Sequence, residues 1–211
     1  MAKFKNSQAD RELLDEGSYN AICVAFDDLG TQKNEKFGTE SRQVSMTFEV
    51  QDEQTSEGEP FYIYKRYNMK FSPKATLAKD LKSWRGIEIG MGEEFDTDDV
   101  IGMPALISLE NNETEKGTFT NIKSISAPLK GTKFRKPKSD LRVFSLDTDE
   151  LDTDVFDTLS PYLQGIISSS PEYDALISRA STKKKQVTNG VGKHTAAASN
   201  GKKPAATAKK R

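Results

Sequence analysis

From Arg42 to Gln51 the chain alternates without a break: Val44, Met46, Phe48 and Val50 are apolar, and Gln43, Ser45, Thr47 and Glu49 are polar. A period of two puts the two sets on opposite faces, so the pattern predicts a half-buried strand with the apolar set inward. Ser18 to Phe26 predicts an earlier strand, with Ile22, Val24 and Phe26 on one side and Tyr19, Ala21, Cys23 and Ala25 on the other. Between them DDLGTQKNEKFGTE, rich in Gly, Asn and charge, predicts a long loop. After the turn-forming DEQTSEGEP, the run FYIYKRYNMKF predicts a third strand dense in β-formers.

A helix should follow. Ser72 offers an N-cap with Pro73 at the first helical position, Leu77, Leu81 and Trp84 share one face, and Gly86 is a fitting stop. Trp84 therefore belongs mainly to the core. A fourth strand is predicted from Met103-Pro104 through Leu109, then a turn at ENNETEKG and a fifth strand from Thr118 to Ser126. Five strands with a helix between the third and fourth is the element order of an OB-fold, a small Greek-key barrel that binds oligonucleotides and oligosaccharides.

Beyond Gly131 the pattern weakens. Leu151, Val155, Phe156, Leu159 and Leu163 predict one or two short helices without a second core. From Lys183 onward the composition is Lys, Ala, Thr, Gly, Asn and Pro, which cannot bury enough apolar surface to offset ordering entropy. The expected organisation is a polar lead-in over 1–16, a mainly β barrel domain over 17–130, an acidic, partly helical extension over 131–182 and a disordered basic tail over 183–211.

Charge sharpens this division. The 211 residues carry a net charge of -1, but 183–211 hold nine basic groups and no acid, leaving 22 basic against 32 acidic groups in the rest. A body that acidic repels polyanions, so any nucleic-acid reading rests on local patches or on the tail. One patch runs from Pro60 to Gly86, with seven basic residues, six aromatics and the lone acid Asp80; the other is LKGTKFRKPK at 129–138, with Lys130, Lys133, Arg135, Lys136 and Lys138. A single cysteine, Cys23, and a single histidine, His194, exclude an internal disulfide, a Cys/His zinc site and Ser-His-Asp or Cys-His catalysis. The apolar runs are far shorter than the roughly 20 residues of a membrane span, and the N-terminus has no apolar signal region, so a cytoplasmic setting is expected.

Aromatics interleaved with cations suit single-stranded nucleic acid, in which every base has a π-face and every linkage a phosphate. The third strand supplies Tyr62, Tyr64, Lys65, Arg66 and Tyr67. Its alternation puts part of that set inside; one phase turns Tyr62, Tyr64 and Arg66 outward with Ile63 and Tyr67 inward, and the other reverses them. Lys70, Lys74, Lys79 and Arg85 extend the cationic surface into the helix, and Lys33, Lys36 and Phe37 sit in the loop that in OB-folds often closes over the ligand or is merely solvated. Lys183, Lys184, Lys185, Lys202, Lys203, Lys209, Lys210 and Arg211 are candidate tail contacts to phosphates. The carboxylate-rich DTDELDTDVFD lacks the order of an EF-hand loop, and no metal or cofactor is expected. Two other classes stay open: an OB-fold adaptor or inhibitor that binds a protein, with the tail giving non-specific nucleic-acid affinity, and a carboxylate-dependent nuclease using Asp149 or Asp152.

GSYNAICVAFDDLGTQ, SRQVSMTFEV and above all KRYNMKFSPKATLAKDLKSWRG resemble the phage-encoded single-stranded DNA-binding proteins of the OB-fold type. The resemblance covers about residues 17–130, including ISAPLKG, and SPEY at 170–173 also fits. It implies a non-enzymatic OB barrel that coats single-stranded DNA during phage replication or recombination in the infected host cell, with little sequence preference. Carried over residue by residue, it points to Lys65, Arg66 and Tyr67, then Lys79 and Arg85. The implied partners are single-stranded DNA, replication or recombination proteins and further copies of the chain. Many such binders end in an acidic tip; here the end is basic, which suggests additional DNA contacts instead.

Overall fold

The computed structural model describes residues 12–35, 37–70, 72–90, 95–115 and 117–190, the last eight by their backbone. The alternating runs become β1 (Gly17–Asn34), β2 (Thr39–Gln54), β3 (Pro60–Asn68), β4 (Pro104–Thr114) and β5 (Gly117–Ser126), in the spatial order β3-β2-β1-β4-β5. These neighbours are antiparallel, and a sixth strand, β6 (Arg142–Phe144), runs parallel to β1. The sheet is open in its hydrogen bonding between β3 and β5, although the two strands approach each other and the Lys65 Nζ donates to the Lys123 carbonyl at 3.2 Å.

The alternation in β2 sets the core: Val44, Met46, Phe48 and Val50 are all buried. Helix α1 (Thr76–Arg85) lays Leu77, Leu81 and Trp84 against them. The Trp84 ring meets Phe48 edge-on at 5.5 Å, and its Nε1 donates to the Pro104 carbonyl at 2.7 Å, so the buried indole is satisfied. Gly86 ends the helix at φ 70°, donating back to Leu81 and Lys82, because a left-handed C-terminal position favours a residue without Cβ. The start differs from expectation. Ser72 and Pro73 form a turn, the helix begins at Thr76, and its N-cap, Ala75, makes no side-chain cap.

Several boundaries also shift. The stretch 27–40 is a continuation of β1 and β2 into a long hairpin, and ENNETEKG is largely the end of β4. Both segments carry loop-like composition, but pairing with a neighbouring strand satisfies their backbone and overrides it. A bulge between Cys23 and Ala25 resets the alternation of β1, so that Ala21, Cys23 and Phe26 all lie opposite inward residues of β2. Phe26 thus shares the core with Cys23 instead of opposing it.

The largest departure lies beyond residue 131. Three helices, α2 (Thr153–Thr158), α3 (Pro161–Ser168) and α4 (Pro171–Gly190), replace the expected one or two. With β6 they enclose a second, smaller cluster of Leu29, Phe144, Leu146, Leu159, Ile167 and Leu176. Leu29, contributed by β1, lies outside the run from which the core was read. The backbone of 183–190 continues α4, so the tail does not begin at Lys183; residues 191–211 lie outside the described set. Gly30 makes this docking feasible: it has φ 70°, and a Cβ there would lie 2.4 Å from that of the fully buried Ser170.

The extension explains why the outward positions Glu49 and Gln51 of β2 are buried. Residues 134–141 run across that face. The Glu49 carboxylate accepts the backbone amides of Lys138 and Ser139 at 2.9 to 3.0 Å, and Arg135 bonds Gln51 through its amide and its guanidinium. Nearby, Arg142 grips Asp27 through two bonds of 2.8 and 2.9 Å, Arg42 pairs with Asp28, and Thr31 donates to Glu172 from both its amide and its hydroxyl.

Candidate nucleic-acid interface

Strand β3 separates its residues by face. Ile63 and Tyr67 point inward and are buried, whereas Tyr62 and Tyr64 are 44% and 51% exposed with Arg66 and Asn68 in phase with them. Their cross-strand partners on β2 are Glu49, Thr47, Ser45 and Gln43. Successive outward residues stand about 6.8 Å apart along the strand, so the two tyrosines and Arg66 form one row. Tyr62 is steadied by Ser139, hydroxyl to hydroxyl at 2.8 Å, and Arg66 donates to the Tyr162 hydroxyl of α3 at 3.0 Å.

The row leads into a groove of about 460 Å³ between the end of β3 and the start of α1, lined by Gln43, Arg66, Tyr67, Asn68, Lys70, Lys74 and Leu77 among others. It holds three cations and no carboxylate. Several cations elsewhere are matched by carboxylates: Arg42 with Asp28, Lys65 with Asp80, Lys82 with Glu88, Lys138 with Glu59 and Arg142 with Asp27. Among the described residues no carboxylate pairs with Arg66, Lys70 or Lys74. Unpaired cations in a concave wall focus potential on an incoming anion.

The structure divides the residues singled out in the sequence. Tyr62, Tyr64, Arg66, Lys70 and Lys74 come together as described. Lys65 and Tyr67 face the other way, and both reach Asp80: the Lys65 Nζ lies 2.8 Å from the carboxylate and the Tyr67 hydroxyl 2.9 Å from it. Burial, followed by the Asp80 charge, pushes the Tyr67 phenol well above its ordinary value. This triad ties β3 to α1, and Asp80, the lone acid of the basic stretch, is used up in it. Lys79 is exposed on α1, and Arg85 donates to the Asp99 carbonyl at 2.9 Å. Lys33 and Phe37 are exposed near the tip of the β1–β2 hairpin and do not line the groove. Lys36 lies outside the described residues, as do Lys202, Lys203, Lys209, Lys210 and Arg211; Lys183, Lys184 and Lys185 fall on the backbone of α4.

In the second basic patch, Lys130, Lys133 and Lys136 are exposed, while Arg135 and Lys138 hold the extension to β2 and to Glu59. Asp152 of the acidic stretch caps α2, accepting from the Val155 amide at 3.0 Å. Among the described residues no three His, Cys, Asp or Glu side chains converge as a metal would require, and no helix is long and apolar enough to cross a membrane. Burial pushes the Cys23 thiol up to about 12, so it stays protonated and unreactive.

Sequence reasoning missed Tyr162, Gln43 and Asn68. Gln43 and Asn68 are ordinary polar positions until the register pairs them beside the groove. Tyr162 did carry a signal: it follows a Ser160-Pro161 helix start and falls off the apolar stripe of Leu159, Leu163 and Ile166. The chain matches no protein-family model and no curated protein sequence.

Proposed function

We propose that the chain is a non-enzymatic single-strand nucleic-acid binder of the OB-fold type, coating single-stranded DNA in phage replication or recombination. The observation that carries this reading is the exposed Tyr62–Tyr64–Arg66 row, continuous with a groove whose cations face no carboxylate. Bases of a single strand stack on the tyrosines, while phosphates take the place of the missing carboxylates at Lys70 and Lys74. A duplex hides its base faces, so the row discriminates against it. The strand order β3-β2-β1-β4-β5, the approach of β3 to β5 and the helix between β3 and β4 support the OB architecture.

The test is fluorescence anisotropy of the full chain with labelled single-stranded and duplex oligonucleotides over a range of salt. Single-strand selectivity is expected. In Lys70→Gln/Lys74→Gln the slope of log affinity against log salt should fall by about 1.4, two phosphates' worth at roughly 0.7 each. An unchanged slope would remove the groove from the interface. Affinity that survives loss of both tyrosines and both lysines but vanishes without 191–211 would favour the protein-binding adaptor instead.

A further inference from the structure

We propose that Tyr162, on the appended helix α3, is a third base-stacking platform, so that the single-strand interface is shared between β3 and the C-terminal extension. The inference rests on the reading of the β3 face as a single-strand binder and adds to it a residue from outside the five-stranded body.

Tyr162 is 61% exposed, more than Tyr62 or Tyr64. Packing does not account for it, since α3 is anchored by other groups. Ile167 is fully buried in the second cluster with Leu163 and Ile166 against it. Ser160 caps the helix, Gln164 donates to the Phe156 carbonyl, and Gln32 of β1 donates to the Ile166 carbonyl. These contacts fix the helix and hold out an aromatic ring that they do not use.

The ring instead meets the β3 row. The Arg66 guanidinium lies 5.3 Å from the ring centroid and its Nη2 donates to the phenol oxygen. Arg66 is partly desolvated there, its Nε being buried without a hydrogen-bond partner among the described residues, which strengthens the attraction to the ring. Arg66 thus connects Tyr162 to Tyr64, one position along the same face, and holds it without burying it. A ring pinned in advance loses little conformational freedom when a base stacks on it.

The experiment compares the full-length wild type, Tyr64→Ala, Tyr162→Ala and Tyr162→Phe for binding to an oligo-dT strand and to an abasic strand of equal length, with thermal unfolding of each variant measured in parallel. Tyr162→Ala should bind oligo-dT about five- to 150-fold more weakly, the range for one lost stacked base. It should leave abasic affinity and the unfolding midpoint near wild type, and Tyr162→Phe should retain most of the oligo-dT affinity. If Tyr64→Ala loses affinity and Tyr162→Ala does not, the inference fails while the single-strand reading stands. An equal loss on the abasic strand would also overturn it, since Tyr162 would then act only by positioning Arg66. A wild type with no single-strand affinity would overturn the reading and the inference together.

Discussion

The outer face of the sheet has two halves with opposite fates. Over β1 and β2 the polar groups are covered and matched: Asp27, with no exposure, is gripped by Arg142, and Glu49 by two backbone amides. Over β3 the covering thins: Tyr62 and Tyr64 are 44% and 51% exposed, and the neighbouring cations of the groove have no carboxylate. Buried charge without a partner is costly, so the covered half requires complementary groups. The β3 half carries no such constraint, and its unmatched groups are available to something outside the chain.

That contrast can be attacked from either side. Gly30→Ala should do most damage, by about 3 kcal/mol, because it combines a disfavoured positive φ with a collision against Ser170. Urea unfolding would show it, and single-strand affinity per folded molecule should fall only as far as α3 is displaced. Tyr64→Ala should behave in reverse: a loss of about 1 to 3 kcal/mol in binding, read by anisotropy, with an unfolding midpoint close to wild type. A Tyr64→Ala protein that unfolds early would place that ring with the covered half.

The smallest effect concerns pH. Burial works against the Glu172 carboxylate, but the two bonds from Thr31 and the charge of Arg42 outweigh it and hold the group below its ordinary value. Its contribution is therefore complete above the unfolded-state value of about 4.5 and is lost as pH falls through the lower folded-state value. Wild type should lose more stability than Glu172→Gln between pH 6 and pH 3, by under about 1 kcal/mol because the site is partly exposed. Parallel pH profiles would contradict that assignment.

Much of the sheet was legible because burial on one face writes a period of two into the sequence. Val44 to Val50 took their predicted places for that reason, and Leu77-Leu81-Trp84 did so because one buried helix face writes a period of 3.6. The reading stopped short where partners come from afar. Nothing local to DDLGTQKNEKFGTE says that Leu29 will meet Leu176, or that a bulge will move Phe26 to the side of Cys23. The candidate interface divides in the same manner. Alternation offered Tyr62, Tyr64 and Arg66 as one outward phase, but the contacts of half-buried Lys65 and buried Tyr67 with Asp80 and the approach of Tyr162 to Arg66 depend on packing between separate elements.

The sixth strand also has a meaning in time. β1 and β2 are neighbours in the chain and can zip together as soon as both are synthesised, whereas Arg142 reaches Asp27 across 115 residues. During translation, the far edge of β1 must therefore wait, first for β4 and then for β6, with its backbone groups unpaired. Asp27 and Asp28, and the bulge beside them, sit on that waiting stretch. Charged side chains and a bulge are among the devices by which open strand edges resist pairing with other chains. The same carboxylates that anchor the finished extension thereby guard the nascent hairpin until its own partner emerges.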